Sequence, residues 1–208
     1  MGLIIDLHLH TRRHSACSMM DESRLIDRAV RAGLDGLVIT EHHYQWSREE
    51  LEALVTASGH PGFLVMAAFE YSSARGDILI YGLEPDQVKE FVPGKQPEVM
   101  LAKAQAMGAA CIAAHPTRAA IPFDERIFEM PFEALEVKSV NLAAHEQRLA
   151  EKLANDLGRA KTASSDAHRI EDVGRYATEF QDPIQCMADL RNSLRRGTFR
   201  PYNPPGKG

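Results

Sequence analysis

Short apolar runs alternate with amphipathic stretches along the whole chain, a pattern that calls for a sheet or barrel of mainly parallel strands covered by helices. The runs that read as strands are residues 3–7, 36–40, 63–69, 78–81, 110–114, 134–138, 162–165 and 177–180. Helices fit between them. Leu25, Ile26, Ala29 and Val30 recur at helical spacing behind Asp21 and Glu22, where negative charge suits a helix start. Ser47 and Glu50 form a capping box for a helix through Leu51, Leu54 and Val55. Pro97 and Gly108 bracket a helix over 99–107, and Gly158 stops another over 143–157. Asp182-Pro183 opens a last helix that runs to Arg196 before Gly197, and the Pro- and Gly-rich stretch 201–208 reads as a flexible tail.

With 208 residues, 44% of them hydrophobic and 25% charged, the chain reads as one globular domain, 1–208, with enough apolar residues for a full core. A formal net charge of -5 argues against holding nucleic acid by bulk electrostatics. Cys17, Cys111 and Cys186 are odd in number and scattered, which disfavours a disulfide framework and a cysteine-based zinc finger. No stretch reaches the roughly 18 apolar residues of a membrane span, and no secretory leader pattern opens the chain. The reading is a cytoplasmic protein.

Chemistry gathers at the C-terminal ends of the expected strands. After the first come His8 and His10; after the second, Glu41, His42 and His43; after the third, Glu70; after the fifth, His115; after the seventh, Asp166 and His168. In an α/β barrel that end is where the loops converge and active sites form. A period of two sets His8 and His10 on the same side of their strand's mouth. Imidazole and carboxylate without thiolate suit zinc, manganese or iron. The candidates exceed one tetrahedral site, so two or three ions are expected, with Glu70, alone behind an apolar strand, as the natural bridge. His42 and His43 point oppositely, so His42 is taken as the ligand. His60 and His145 read as solvated. For a phosphate substrate, Arg12, Arg13, Arg118 and Arg169 lie in ligand-bearing loops, with Arg118 and Arg169 preferred as clamps.

Several motifs in sequence order resemble the PHP (polymerase and histidinol phosphatase) domain phosphoesterases. They are Asp6-Leu7-His8-Leu9-His10-Thr11, Gly33-Leu34-Asp35-Gly36 leading into Ile39-Thr40-Glu41-His42, Glu70, His115-Pro116, Glu136-Val137 through Asn141, and Ser165-Asp166-Ala167-His168. The resemblance spans almost the whole chain. It implies an α/β protein with a distorted (β/α)7 barrel of the PHP type, in which His8, His10, Glu70 and Asp166 hold one ion, Glu70 and His115 a second, and His42 and His168 a third. Two positions depart from the family pattern. Ser15 and Ala16 stand where relatives carry an aspartate or histidine, leaving His14 as the nearest substitute ligand. Asp77 stands where relatives carry a histidine at the start of the next strand, and it is counted as a ligand.

The implied activity is hydrolysis of a phosphate ester by a metal-activated hydroxide, with Asp166 and His168 as the catalytic pair. Two or three divalent ions (Zn, Mn or Fe) would be the cofactors. The substrate would be a small phosphorylated molecule, a nucleotide or a short oligonucleotide, with neither bulk nucleic acid nor a membrane as partner. A metal-dependent hydrolase of another bond, such as an amide, and a metal-binding regulatory module without turnover would use the same strand-end histidines.

Overall fold

A computed structural model describes residues 2–202. Nine strands form one sheet in the order β7-β6-β5-β4-β3-β2-β1-β8-β9. They are β1 (Leu3–Asp6), β2 (Gly36–His42), β3 (Leu64–Ser72), β4 (Asp77–Tyr81), β5 (Ala110–Ala114), β6 (Ala134–Lys138), β7 (Ala160–Ala163), β8 (Ala177–Phe180) and β9 (Phe199–Tyr202). The helices are α1 (Leu25–Arg31), α2 (Arg48–Ser58), α3 (Pro85–Val88), α4 (Pro97–Ala106), α5 (Ala144–Asp156) and α6 (Met187–Arg196). Among the described residues, no helix is long and apolar enough to cross a membrane.

The sheet curls into a nearly closed barrel, as expected, but its strands are more numerous and less uniform than seven βα units would give. β1, β2 and β3 run parallel, as do β5, β6 and β7, while β4 is antiparallel to both β3 and β5. β8 and β9 add an antiparallel hairpin beside β1. At the seam the Thr178 hydroxyl on β8 donates to the Ala163 carbonyl on β7 at 2.8 Å and accepts the Ala163 N–H at 3.1 Å. One side chain thus stands in for a ladder.

Period-two alternation fills the barrel. Ile5, Val38, Met66, Ala68, Leu79, Ile112 and Ala134 point inward into one buried cluster, and Leu190 and Leu194 of α6 belong to it. Arg195 of α6 donates to the carbonyl of Gly108, two residues before β5, so α6 closes the end of the barrel where the parallel strands begin. The outer face packs on α1 and α2 through Leu25, Ile26, Leu37, Ile39 and Leu54, and on α3, α4 and α5 through Phe69, Val88, Leu101, Val137 and Ala150. Burial of this kind contributes roughly 25 cal/mol per Å² of apolar surface removed from water. The opposite end of the barrel carries the buried His8, His10, Glu70, His115 and Asp166.

Most boundaries shift by a few residues from the sequence reading, and four of the shifts have structural consequences. β1 ends at Asp6, and β7 covers 160–163 rather than 162–165. The last helix starts at Met187, because Asp182 accepts from Ser193 and Thr198 and so fastens the far end of α6 instead of opening it. Pro201 and Tyr202, read as tail, belong to β9, where Pro201 lies opposite Thr178 at the sheet's end, a position that tolerates a missing N–H. Residues 203–208 of the expected tail lie outside the described residues.

Candidate metal centre

The alternation that fills the barrel also delivers its ligands. On β3 the inward series Met66, Ala68 continues to Glu70, and the parallel register sets Glu70 beside His42 at the end of β2. On β4 Asp77 shares the face of Leu79, and the register sets it opposite Ala114, one residue before His115. β1 and β7 are not neighbours in the sheet, but the segments that follow them pair: Asp166 N–H donates to His8 O at 2.7 Å and His10 N–H to Ala167 O at 2.9 Å. That pairing brings His8 and His10 against Asp166 and His168. His115 and Asp166 sit in left-handed backbone, with φ of 28° and 50°, a conformation that costs energy for a side-chain-bearing residue and is retained where the surroundings impose it.

His8, His10, Glu70 and Asp166 form a compact set. His8 Nε2 lies 3.1 Å from His10 Nε2, 3.4 Å from Glu70 Oε2 and 3.3 Å from Asp166 Oδ1. His10 Nε2 lies 3.2 and 3.4 Å from the same two oxygens. An ion with four ligands at about 2.0–2.1 Å spaces neighbouring donors roughly 3.3 to 3.4 Å apart, so these separations fit a tetrahedral divalent ion. On the far side of Glu70, Oε1 is 3.1 Å from His115 Nε2, which is 3.9 Å from Asp77 Oδ2 and 3.9 Å from Asp166 Oδ2. Glu70 and Asp166 therefore turn one oxygen toward each set. Asp77 Oδ1 is buried without a hydrogen-bond partner, as a carboxylate awaiting a cation would be. A third grouping brings His10, His42 and His168 within 4.8 Å of one another.

Hydrogen bonds fix the ligands from behind. Glu136 Oε1 lies 3.1 Å from His8 Nδ1, so His8 turns Nε2 toward the cluster. Asn141 donates to Asp166 Oδ2 at 2.7 Å and to the Asp166 carbonyl at 2.8 Å. Asp6 accepts the N–H of Ser165 at 2.8 Å and of Gly174 at 3.3 Å, tying the end of β1 to the Asp166 loop. His168 Nδ1 lies 3.0 Å from the Asp166 carbonyl, which can only accept, so in the neutral ring Nε2 carries the lone pair.

Among the protein groups alone, charges divide sharply. Burial works against the charged form of His8, yet Asp166, Glu136 and Glu70 outweigh it and hold His8 well above its ordinary value. Burial likewise opposes charge on His10, but hydrogen bonds to Asp166 and Glu70 raise it to about 9. The same contacts overcome burial at Glu70 and Asp166 and hold both below the usual carboxylate range. Burial, followed by the Glu70 charge, pushes Asp77 up to about 7. His42 falls to about 4 and His168 falls as well, each mainly through burial.

Of the residues anticipated from sequence, the fold brings together His8, His10, His42, Glu70, Asp77, His115, Asp166 and His168. His14 is elsewhere: its Nε2 lies 3.1 Å from Glu50 Oε1 and its ring stacks on Tyr44 at 3.7 Å, so it is no substitute ligand. Arg169 is exposed and lines a separate recess with Asp21 and Arg24. Arg12 is paired with Asp21, and Arg13 with Glu50 at 3.4 Å. Arg118 remains half-buried in the turn after His115, where its N–H donates to the His115 carbonyl at 2.9 Å. The sequence reading gave no role to Glu136, Asn141 or Asp6. Glu136 lies in the middle of the sixth run, two residues after the inward-facing Ala134, so the period of two, and not the strand-end position, is the signal that marks it.

A family model described as PHP-associated matches residues 144–199. No curated protein matches the chain in sequence. Solved structures do resemble it in fold. PsfC from Pseudomonas syringae superposes with a TM-score of 0.74 at 19% identity, over 100% of this chain and 94% of that one. A Bifidobacterium adolescentis protein, named provisionally as a metal-dependent phosphoesterase, gives 0.64 at 16%, over 93% and 96%. An amidohydrolase from Chromobacterium violaceum, determined with bound sulfate and no metal, gives 0.62 at 17%, over 97% and 98%. The chain thus shares its fold with these structures, and residues 144–199 are similar to the PHP-associated family model.

Proposed function

We propose that this protein is a metal-dependent phosphoesterase acting on a small phosphorylated molecule or a nucleotide. The observation that carries the reading is Glu70, whose two oxygens face two separate donor sets, His8, His10 and Asp166 on one side and His115 and Asp77 on the other. Two divalent ions held there would supply a water ionised near neutral pH and charge stabilisation at the phosphoryl oxygens. The residues do the rest. His8, His10 and Asp166 hold one side rigidly, fastened by Glu136 and Asn141. His168 presents Nε2 toward the mouth as an acceptor, which suits a ligand or a proton-accepting group better than the leaving-group acid. Arg118, three residues after His115, is assigned to the substrate's phosphate. The formal net charge of -5 favours a compact substrate over a polymer held by its backbone.

The test is a panel of phosphomonoesters and phosphodiesters assayed after chelation and again after adding back manganese or zinc. Phosphate release or diester cleavage that vanishes with chelator and returns with the ion is expected. A panel negative under every metal condition would overturn the reading. The amidohydrolase of similar fold motivates a second reading, and amide cleavage with no ester cleavage would establish it.

A further inference from the structure

Ser15 occupies the one place where the hydrogen bonds around His10 can be fully counted. A hydroxyl has one proton and two lone pairs. Ser15 donates its proton to Glu41 Oε2. Its lone pairs then face the His42 N–H, at 3.2 Å, and His10 Nδ1, at 3.4 Å. Glu41 is itself fully buried and accepts from the Thr11 N–H at 3.2 Å, from the Thr11 hydroxyl, and from Trp46 Nε1 at 3.1 Å. Every neighbour of that carboxylate is a donor, so the Ser15 proton cannot turn toward His10. The nitrogen at His10 Nδ1 must therefore carry the hydrogen.

The consequence reaches the ion count. His10 Nε2 is already committed to the set with His8, Glu70 and Asp166. With Nδ1–H directed at Ser15, His10 has no lone pair left for the grouping with His42 and His168. That grouping then offers two half-exposed imidazoles and Glu70 Oε2, an oxygen the first set already uses. We infer that Ser15, backed by Glu41, is a positioning residue that holds His10 in its Nδ1–H form, and that the cluster consequently retains two divalent ions and not three. The inference rests on the metal-binding part of the proposed function and is independent of the bond cleaved.

The experiment uses the full chain, stripped with chelator and reloaded with Zn²⁺ or Mn²⁺ alone. Elemental analysis after desalting is expected to give two equivalents retained, and nitrogen-15 spectra of the zinc-loaded protein should show His10 as the Nδ1–H tautomer. Ser15→Ala should weaken the ion held by His8, His10, Glu70 and Asp166 by about 10- to 100-fold, with Ser15→Thr restoring much of it. Three retained equivalents, or an Nε2–H form of His10, would overturn the inference without any variant having to fold. Retention of no ion would remove it together with the metal reading. Failure to hydrolyse any phosphoester leaves these readouts unchanged, so the two readings fail separately.

Discussion

Glu136 Oε1 lies 3.1 Å from His8 Nδ1 while Glu136 Oε2 accepts the His115 N–H at 3.0 Å, so one buried carboxylate steadies ligands that belong to different donor sets. Removing it frees the His8 ring to turn and leaves a buried N–H unpaired. Glu136→Ala should therefore lower the affinity for Zn²⁺ or Mn²⁺ about 10- to 100-fold, read by competition with a fluorescent chelator. Affinity within twofold of the native protein would show that Glu136 matters to packing alone.

Much of this centre is legible in the sequence because barrel filling and ligand placement share one period. Met66 and Ala68 are inward, so Glu70 is inward, and Leu79 tells the same of Asp77. What the sequence hides are contacts between distant segments. Ser15 meets Glu41 across 26 positions and Asp6 meets Ser165 across 159, and no local pattern marks either pair. His14 fails as a ligand for a similar reason, since Glu50 and Tyr44, both beyond β2, capture its ring. β9 is hidden by its composition: two of its four residues, Pro201 and Tyr202, read as tail until β8 lies beside them.

Glu70, like Asp166, turns one oxygen toward each donor set, but it comes nearer to His115, 3.1 Å against 3.9 Å. Glu70→Gln keeps the shape and removes the charge. Losing about 4 kcal/mol of electrostatic stabilisation corresponds to a roughly 10³-fold fall in kcat/KM on whichever phosphoester is cleaved. Elemental analysis should show fewer ions retained in the same preparation. A variant with near-native turnover and metal content would remove Glu70 from the bridge.

The pH dependence follows from His10. Its folded value is raised to about 9, from an ordinary 6.5, by Asp166 and Glu70 acting against burial. Among the protein groups alone, the stabilisation from charging His10 is fully present below pH 6.5 and is lost as pH rises through about 9. A metal ion must displace that proton, so affinity should climb with pH across this window and level off above it. Glu70 and Asp166, held below the usual carboxylate range, add no slope there. Calorimetry at pH 7.5 in buffers of differing ionisation enthalpy should detect proton release on zinc binding. Binding without release would contradict the assignment of His10.

Gly76 precedes Asp77 with φ of 79°, and a Cβ there would lie 2.3 Å from the Phe123 ring. Phe123 cannot easily retreat: it packs edge-on against Phe132 at 5.5 Å, and its N–H donates to the Pro116 carbonyl at 3.1 Å, just beyond His115. Gly76→Ala thus combines backbone strain with overpacking between two ligand-bearing loops, a loss of about 2 to 3 kcal/mol. For a chain of this size that lowers Tm by roughly 5 to 10 °C. Gly59→Ala is the matched comparison, since Gly59 has φ of 74° and nothing within 4 Å of its Cβ position. It bears the backbone cost alone and should lose roughly 1 kcal/mol. Equal losses at the two sites would mean that Phe123 yields freely, and that the loop after His115 is not braced against the Asp77 turn.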